Sequence, residues 1–256
     1  MRAPFSVRAC GACNDMRLAA DLHIHSCLSP CADAGMTPNN IVNMAYIKKL
    51  DVIAVTDHNS AKNLPAVAGA AATRGLVLLP GLEVQSREEV HLLCYFGSLD
   101  DALAFGDEIY AFLPDVPNRA DLFGEQVVMD ECDEVTGAEP RLLVQSLTLS
   151  IEQVCALTEE HGGLVVPAHI NRNANSILYN LGFIPPDLDF RVLEACVTGP
   201  APAVELSKYR VIYSSDAHTL GAILEPEQMV EAQERSALSV LQALKSGFCG
   251  PMTGEI

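Results

Sequence analysis

The sequence predicts an α/β fold, one domain in which parallel strands alternate with crossover helices and chemistry collects at one end of a barrel or sheet. Three observations predict it. Short apolar β-like runs alternate with helix-like stretches along the chain. Six of the seven histidines sit in blocks that also carry a carboxylate or follow such a run: DLHIH, VTDHN, EVHLLCYF, VVPAHI and SSDAH. The third observation is size: 256 residues, 49% hydrophobic and 19% charged, bury a full α/β core without requiring a second domain.

The first strand is expected from Leu18 to His25. In a strand His23 and His25 point to the same face, so both imidazoles can reach one ion while Leu22 and Ile24 pack behind them. The following loop carries Cys27, Cys31 and Asp33. Asp33 could be a ligand or a loop-capping acid, and the two cysteines could perturb a metal site, pack, or staple the loop. A helix follows in TPNNIVNMAYIKKL, with Thr37 as cap and Pro38 in its first turn.

The strand from Val52 to Thr56 delivers Asp57 and His58 to its mouth. His58 reads as a ligand, and Asp57 as a group that orients a ligand or assists proton transfer. Asn59 is a candidate substrate contact. The run from Leu76 to Leu82 ends at Glu83, where an unpaired carboxylate would be costly and a carboxylate bridging two cations would not. His91 opens the strand from Val90 to Phe96.

The alternation breaks at about residues 113–141, a stretch rich in acids, proline and glycine, which reads as an insertion lying over the substrate mouth or simply connecting. A helix in LSIEQVCALTEEHGG starts near Ser150 and stops at Gly162; His161 at its C-terminus is accounted for by the helix dipole and stays outside the site. The strand from Leu164 to Ala168 ends at His169, with Arg172 close behind as the first candidate for holding a phosphate in bidentate fashion, a surface salt bridge being its other reading. Asn171 and Arg141 are weaker candidates. Strands from Val192 to Cys196 and Val211 to Ser214 complete the series, the last ending in Asp216 and His218.

Composition narrows the function classes. A net charge of −17 disfavours binding to long nucleic acids, whose affinity comes from lysine and arginine neutralising phosphates. Several bound divalent cations would nonetheless make one site locally positive. No run of about 18 apolar residues is present, so no membrane span is expected and the chain reads as cytoplasmic. Nine cysteines, an odd count in a chain this long without a signal peptide, read mostly as reduced thiols. Cys10 and Cys13 form a lone CxxC with no second pair at zinc-ribbon spacing.

The blocks DLHIHS, DAGMTP, VTDHN, GLEV, VHLLCYF, PAHI and SSDAH, in this order, resemble the polymerase and histidinol phosphatase (PHP) superfamily, and within it the metal-dependent phosphoesterases that include nucleoside 3′,5′-bisphosphate phosphatases. The resemblance implies a distorted (β/α)7 barrel holding two to three divalent ions, zinc, manganese or iron. It implies one ion on His23, His25, Glu83 and Asp216, a second shared through Glu83 with His91 and His169, and a third on Asp33, His58 and His218. Many members carry an acid soon after the second histidine, where this chain has Pro30; aligning on the following Thr-Pro pair recovers Asp33.

Such a site activates a shared water for in-line attack on phosphorus and needs no protein nucleophile. The expected activity is hydrolysis of a small phosphorylated metabolite or nucleotide, in a chain acting alone or as a homo-oligomer. The competing readings are an exonuclease or amidohydrolase-like C–N hydrolase on the same site, and a non-catalytic domain that the metals only stabilise.

Overall fold

A computed structural model describes residues 15–202 and 205–246. In chain order the elements are β1 (Met16–Ile24), α1 (Pro38–Ile47), β2 (Val52–Val55), α2 (Leu64–Arg74), β3 (Val77–Leu78), β4 (Gly81–Gln85), β5 (His91–Tyr95), α3 (Leu99–Ile109), α4 (Ala120–Phe123), β6 (Val127–Met129), β7 (Val135–Ala138), α5 (Ile151–Glu160), β8 (Leu164–Pro167), α6 (Ile177–Leu181), β9 (Val192–Cys196), β10 (Arg210–Ser214), β11 (Met229–Ala232) and α7 (Ala237–Lys245). Helix punctuation follows the sequence. The Thr37 side chain accepts from the Asn40 amide with proline at the first position of α1, and Ser150 and Gln153 form a reciprocal capping box on α5.

The expected ring of parallel strands is corrected by the structure. The strands form three main sheets, ordered β11-β1-β2-β3, β4-β5-β8 and β10-β9, and no closed barrel. Pairing is parallel for β1 with β2, β2 with β3, and β9 with β10, but β5 runs antiparallel to both β4 and β8. Residues 86–90 are the reason: they are far too few for a parallel crossover, so β4 and β5 must form a hairpin. Pro80, which has no N–H to extend a ladder, splits the single strand expected from Leu76 to Leu82 into β3 and β4.

The sheets touch where the histidines emerge. Single parallel bridges join Ile24 to Ala217 and His58 to Glu83, and the Ile170 amide donates to the Glu194 carbonyl. One apolar cluster lies under α1, α2, α3 and α5, with Ile41, Val67, Phe105 and Val154 fully buried. A second lies between the sheets, built from Leu18, Leu22, Val52, Leu93, Val166 and Val192 and closed by Val240 and Leu244 of α7. Tyr95 crosses this interior and donates its hydroxyl to the Leu22 carbonyl at 2.6 Å.

The stretch at 113–141 contains α4 and the antiparallel hairpin β6-β7. It packs against the loop that follows β1, the Val127 amide donating to the Cys27 carbonyl, while the Asp133 carboxylate accepts from Thr37 Oγ1 at the start of α1. Cys10 and Cys13 lie outside the described residues. Among those described, no helix is long and apolar enough to cross a membrane.

Candidate metal centre

The site side chains lie on strands or on the loops that follow them. His23 and His25 share a face of β1, and their Nε2 atoms stand 3.2 Å apart. Glu83, in the middle of β4, is buried and sits at the centre of the cluster. Its Oε1 lies 2.9 Å from His91 Nδ1, 3.1 Å from His169 Nε2 and 3.3 Å from His23 Nε2; its Oε2 lies 3.0 Å from His58 Nδ1 and 3.4 Å from His25 Nε2. Asp216 Oδ1 is 3.1 Å from His25 Nε2 and 3.3 Å from His23 Nε2, and its Oδ2 pairs with Arg172. His218 stacks on His25 at 4.5 Å between ring centroids.

His169 and Asp216 hold left-handed backbone, φ 29° and 51°, a strain that surroundings must impose and that gathers at functional sites.

The electrostatics are those of buried negative charge in need of cations. Burial opposes protonation of His23, yet the Asp216 and Glu83 carboxylates raise its pKa well above the ordinary value. The same contest lifts His25 to about 9 through Asp216 and Glu83, and His58 to about 9 chiefly through Glu83. His91 and His218 go the other way, to about 4, because burial prevails and neighbouring imidazoles add to it. Burial works against the charge on Glu83 and Asp216, but the surrounding rings hold both below the usual carboxylate range.

A metal fits this arrangement. His23 Nδ1, His58 Nδ1, His169 Nδ1 and Asp216 Oδ1 are buried without a hydrogen bond of acceptable geometry, although buried polar atoms ordinarily find one. Two imidazole nitrogens 3.1 or 3.2 Å apart can share one proton, but so many rings around two carboxylates cannot all be served that way. Three sets of donor atoms converge closely enough to hold an ion: His23, His25 and Asp216; His58, Glu83 and His91; and His25, Cys31, His58 and His218. They open on a cavity of about 340 Å³ lined also by Gln85, Arg172 and Asn175.

The remaining expected residues are placed as follows. Asp33 is exposed, its Oδ1 accepts from the Gly35 amide at 2.8 Å, and it belongs to none of the three donor sets. Asp57 is buried behind the cavity, accepting from the Ser26 amide, Ser26 Oγ and Ser29 Oγ at 2.5–2.8 Å. Ser29 Oγ in turn lies 3.0 Å from His25 Nδ1, so Asp57 steadies a ligand through Ser29. Asn59 donates to the Leu143 and Gln145 carbonyls and accepts from the Gln85 amide; Asn171 is equally committed, to Cys196 and Pro200. Neither is free for a substrate. Arg141 pairs with Asp115 and stacks over Tyr110, away from the cavity, and His161 pairs with Glu108.

Cys27 and Cys31 are both free thiols. Cys27 turns inward toward Val127 and Met129, where burial pushes its pKa to about 12.

Two buried acids escaped the sequence reading. Glu194, in β9, accepts from the His169 amide and reaches to 3.8 Å of His23 Nδ1. Asp21 accepts from the Ser215 amide, Ser215 Oγ and the Leu224 amide, fixing the turn that carries Asp216. Both interrupt apolar strand runs, the same signal that marked Glu83.

Residues 21–160 match the PHP domain family, more than half of the chain, and the chain belongs to that family. It is 37% identical over 76 residues to a 3′,5′-nucleoside bisphosphate phosphatase of Chromobacterium violaceum, a match covering 28% of this chain and 26% of that one. Its fold is similar to a lesion-specific endonuclease from Pyrococcus furiosus (TM-score 0.60, 18% identity, covering 91% of this chain and 57% of that one). It is also similar to a proposed metal-dependent phosphoesterase from Bifidobacterium adolescentis (TM-score 0.56, 18% identity, 92% and 98% covered). This chain thus spans about a quarter of the phosphatase and just over half of the endonuclease.

Proposed function

We propose that the chain is a metal-dependent phosphoesterase acting on a small phosphorylated metabolite or nucleotide. The observation that carries this reading is Glu83, a buried carboxylate surrounded by five imidazoles at the floor of an open cavity. His23, His25, Glu83 and Asp216 would hold one divalent ion, Glu83 with His91 and His169 a second, and His58 with His218 part of a third. Zinc, manganese and iron all suit imidazole and carboxylate donors. Ions bound there would supply an activated water and positive charge for the phosphoryl oxygens.

The chain's own residues do the rest. Glu83 fixes the spacing of the donors by reaching both groups of rings with its two oxygens. Glu194, and Asp57 through Ser29, hold imidazoles in orientation, as carboxylates behind metal-bound histidines do. Arg172, half-buried at the cavity wall and already turned toward Asp216, presents a guanidinium to a phosphate entering from solvent. The −17 charge favours a small substrate over a nucleic acid duplex. The endonuclease likeness bears on fold alone.

The test is phosphate release by metal-stripped protein reloaded with manganese, offered mononucleotides, nucleoside 3′,5′-bisphosphates, histidinol phosphate and short oligonucleotides. A His23→Ala, His25→Ala double variant runs alongside. Release from one small class, lost in the variant, is expected. No release from any of them with metal bound would move the assignment to a C–N hydrolase or a non-catalytic centre.

A further inference from the structure

We propose that Cys31 is a thiolate ligand, and that with His58 and His218 it forms an outer position selecting a thiophilic divalent ion, zinc or iron(II), over manganese or magnesium. The inference rests on the metal-centre reading above and deepens it.

Three observations carry it. The donor atoms of His25, Cys31, His58 and His218 all lie within 4.8 Å of one another. The loop backbone is pinned there, since the Ala32 amide donates to the Ser29 carbonyl at 3.0 Å and the Asp33 amide to the His218 carbonyl at 2.9 Å, which keeps the exposed Cys31 on a segment tied to the His218 turn. And Asp33, the carboxylate that the Thr-Pro alignment assigns to this position, is exposed, accepts from the Gly35 amide and falls in none of the donor sets. His25 also belongs with His23 and Asp216, and His58 also belongs with Glu83 and His91; with His25 given to the inner ion, Cys31, His58 and His218 are left for the outer one.

Cys31, His58 and His218 all line the cavity, so an ion held by this N₂S set would be within reach of a molecule entering it. Thiolate donors favour zinc and iron over the harder manganese and magnesium, and binding would release the thiol proton to solvent. Cys27, buried and turned away, plays no part.

The experiment loads metal-stripped full-length protein with cobalt(II), and separately with zinc and excess manganese together, and counts ions per chain by elemental analysis. The wild-type protein should show a near-ultraviolet thiolate-to-cobalt charge-transfer band and retain one zinc per chain against manganese. Cys31→Ser should lose the band and one ion while Cys27→Ser keeps both, and Cys31→Asp should regain the ion as manganese. A band and ion count unchanged in Cys31→Ser would overturn the proposal, as would ions bound to wild type without a thiolate band. The latter result, with phosphate release intact, leaves the phosphoesterase reading standing. No bound ion at all overturns both.

Discussion

At the scale of single residues, the centre depends on charge placed where burial makes it expensive. Glu83 has an essentially inaccessible carboxylate, and among the described residues its charged partners are all imidazoles, with no lysine or arginine. Glu83→Gln keeps the shape and removes the charge that two ions would share. It should abolish phosphate release and lower the ion count by at least one per chain, both read on the same preparation. Glu194 acts at one remove, through His23 and the His169 amide. Glu194→Gln should weaken metal binding by about 10- to 100-fold, the range seen for carboxylates behind ligand histidines, while the fold survives; a competition titration with a chelating dye measures it. Arg172→Ala should raise KM with little change in kcat if the guanidinium binds phosphate before reaction, whereas unchanged kinetics would remove it from the site. The histidines, Glu83 and Asp216 were legible because strand alternation and costly apolar surroundings mark them. The assignment of Asp33 rests on aligning the Thr-Pro pair across a loop of irregular length, where no period separates a ligand from a loop-capping acid, and its carboxylate accepts from the Gly35 amide. Ser26 and Ser29, small hydroxyls that carry Asp57's hold on the site, leave no pattern at all.

At the scale of elements, alternation marked the strand regions from β1 to β10 outside the 113–141 stretch, though it merged β3 and β4 into one strand and did not give direction. Direction followed from a connection length, the short turn at 86–90, rather than from composition. The last strand, β11, was not read because a four-residue run gains its identity only from pairing with β1 more than 200 residues away, Met16 opposite Ala232. The hairpin β6-β7 was obscured because β6 is only three residues, β7 is exposed, and the turn between them is rich in acids. This hairpin buttresses the loop that carries Ser26, Ser29 and Cys31 through the Val127 amide, and at Pro30 that loop meets the residue after α4, Gly124. Its φ of 101° is disfavoured for other residues, and a β-carbon there would run into the Pro30 carbonyl. Gly124→Ala should therefore lower the melting temperature, by an amount corresponding to about 1–3 kcal/mol as overpacking usually costs, and should loosen metal held by the loop. A variant with wild-type melting and wild-type ion count would show that the buttress does not reach the site.

At the scale of the whole molecule, folding and metal binding compete with protons for the same nitrogens, which makes stability depend on pH in opposite senses with and without metal. In the metal-free protein His25 and His58 have pKa values raised to about 9 from an ordinary value near 6.5. The stability they contribute is full below about 6.5 and is lost as pH rises through 9, because the folded chain then gives up protons that the two buried carboxylates required. His91 and His218 are lowered to about 4, so acidification below 6.5 also costs stability, the unfolded chain taking protons that the folded one refuses. Glu83 and Asp216, both held below the carboxylate range, add to that acid loss only once pH falls below about 4. Metal-free protein should thus melt highest near pH 6.5 and lose several degrees by pH 9. Bound cations supply the positive charge instead, and since ligation needs neutral imidazoles, metal affinity should rise over the same interval. The loaded protein should therefore hold or gain melting temperature between pH 6.5 and 9 while the stripped protein falls. Parallel melting curves across that range decide the matter: two profiles that move together would mean that protons and metal do not share these nitrogens, and that the histidine cluster is held by something other than the charge on Glu83 and Asp216.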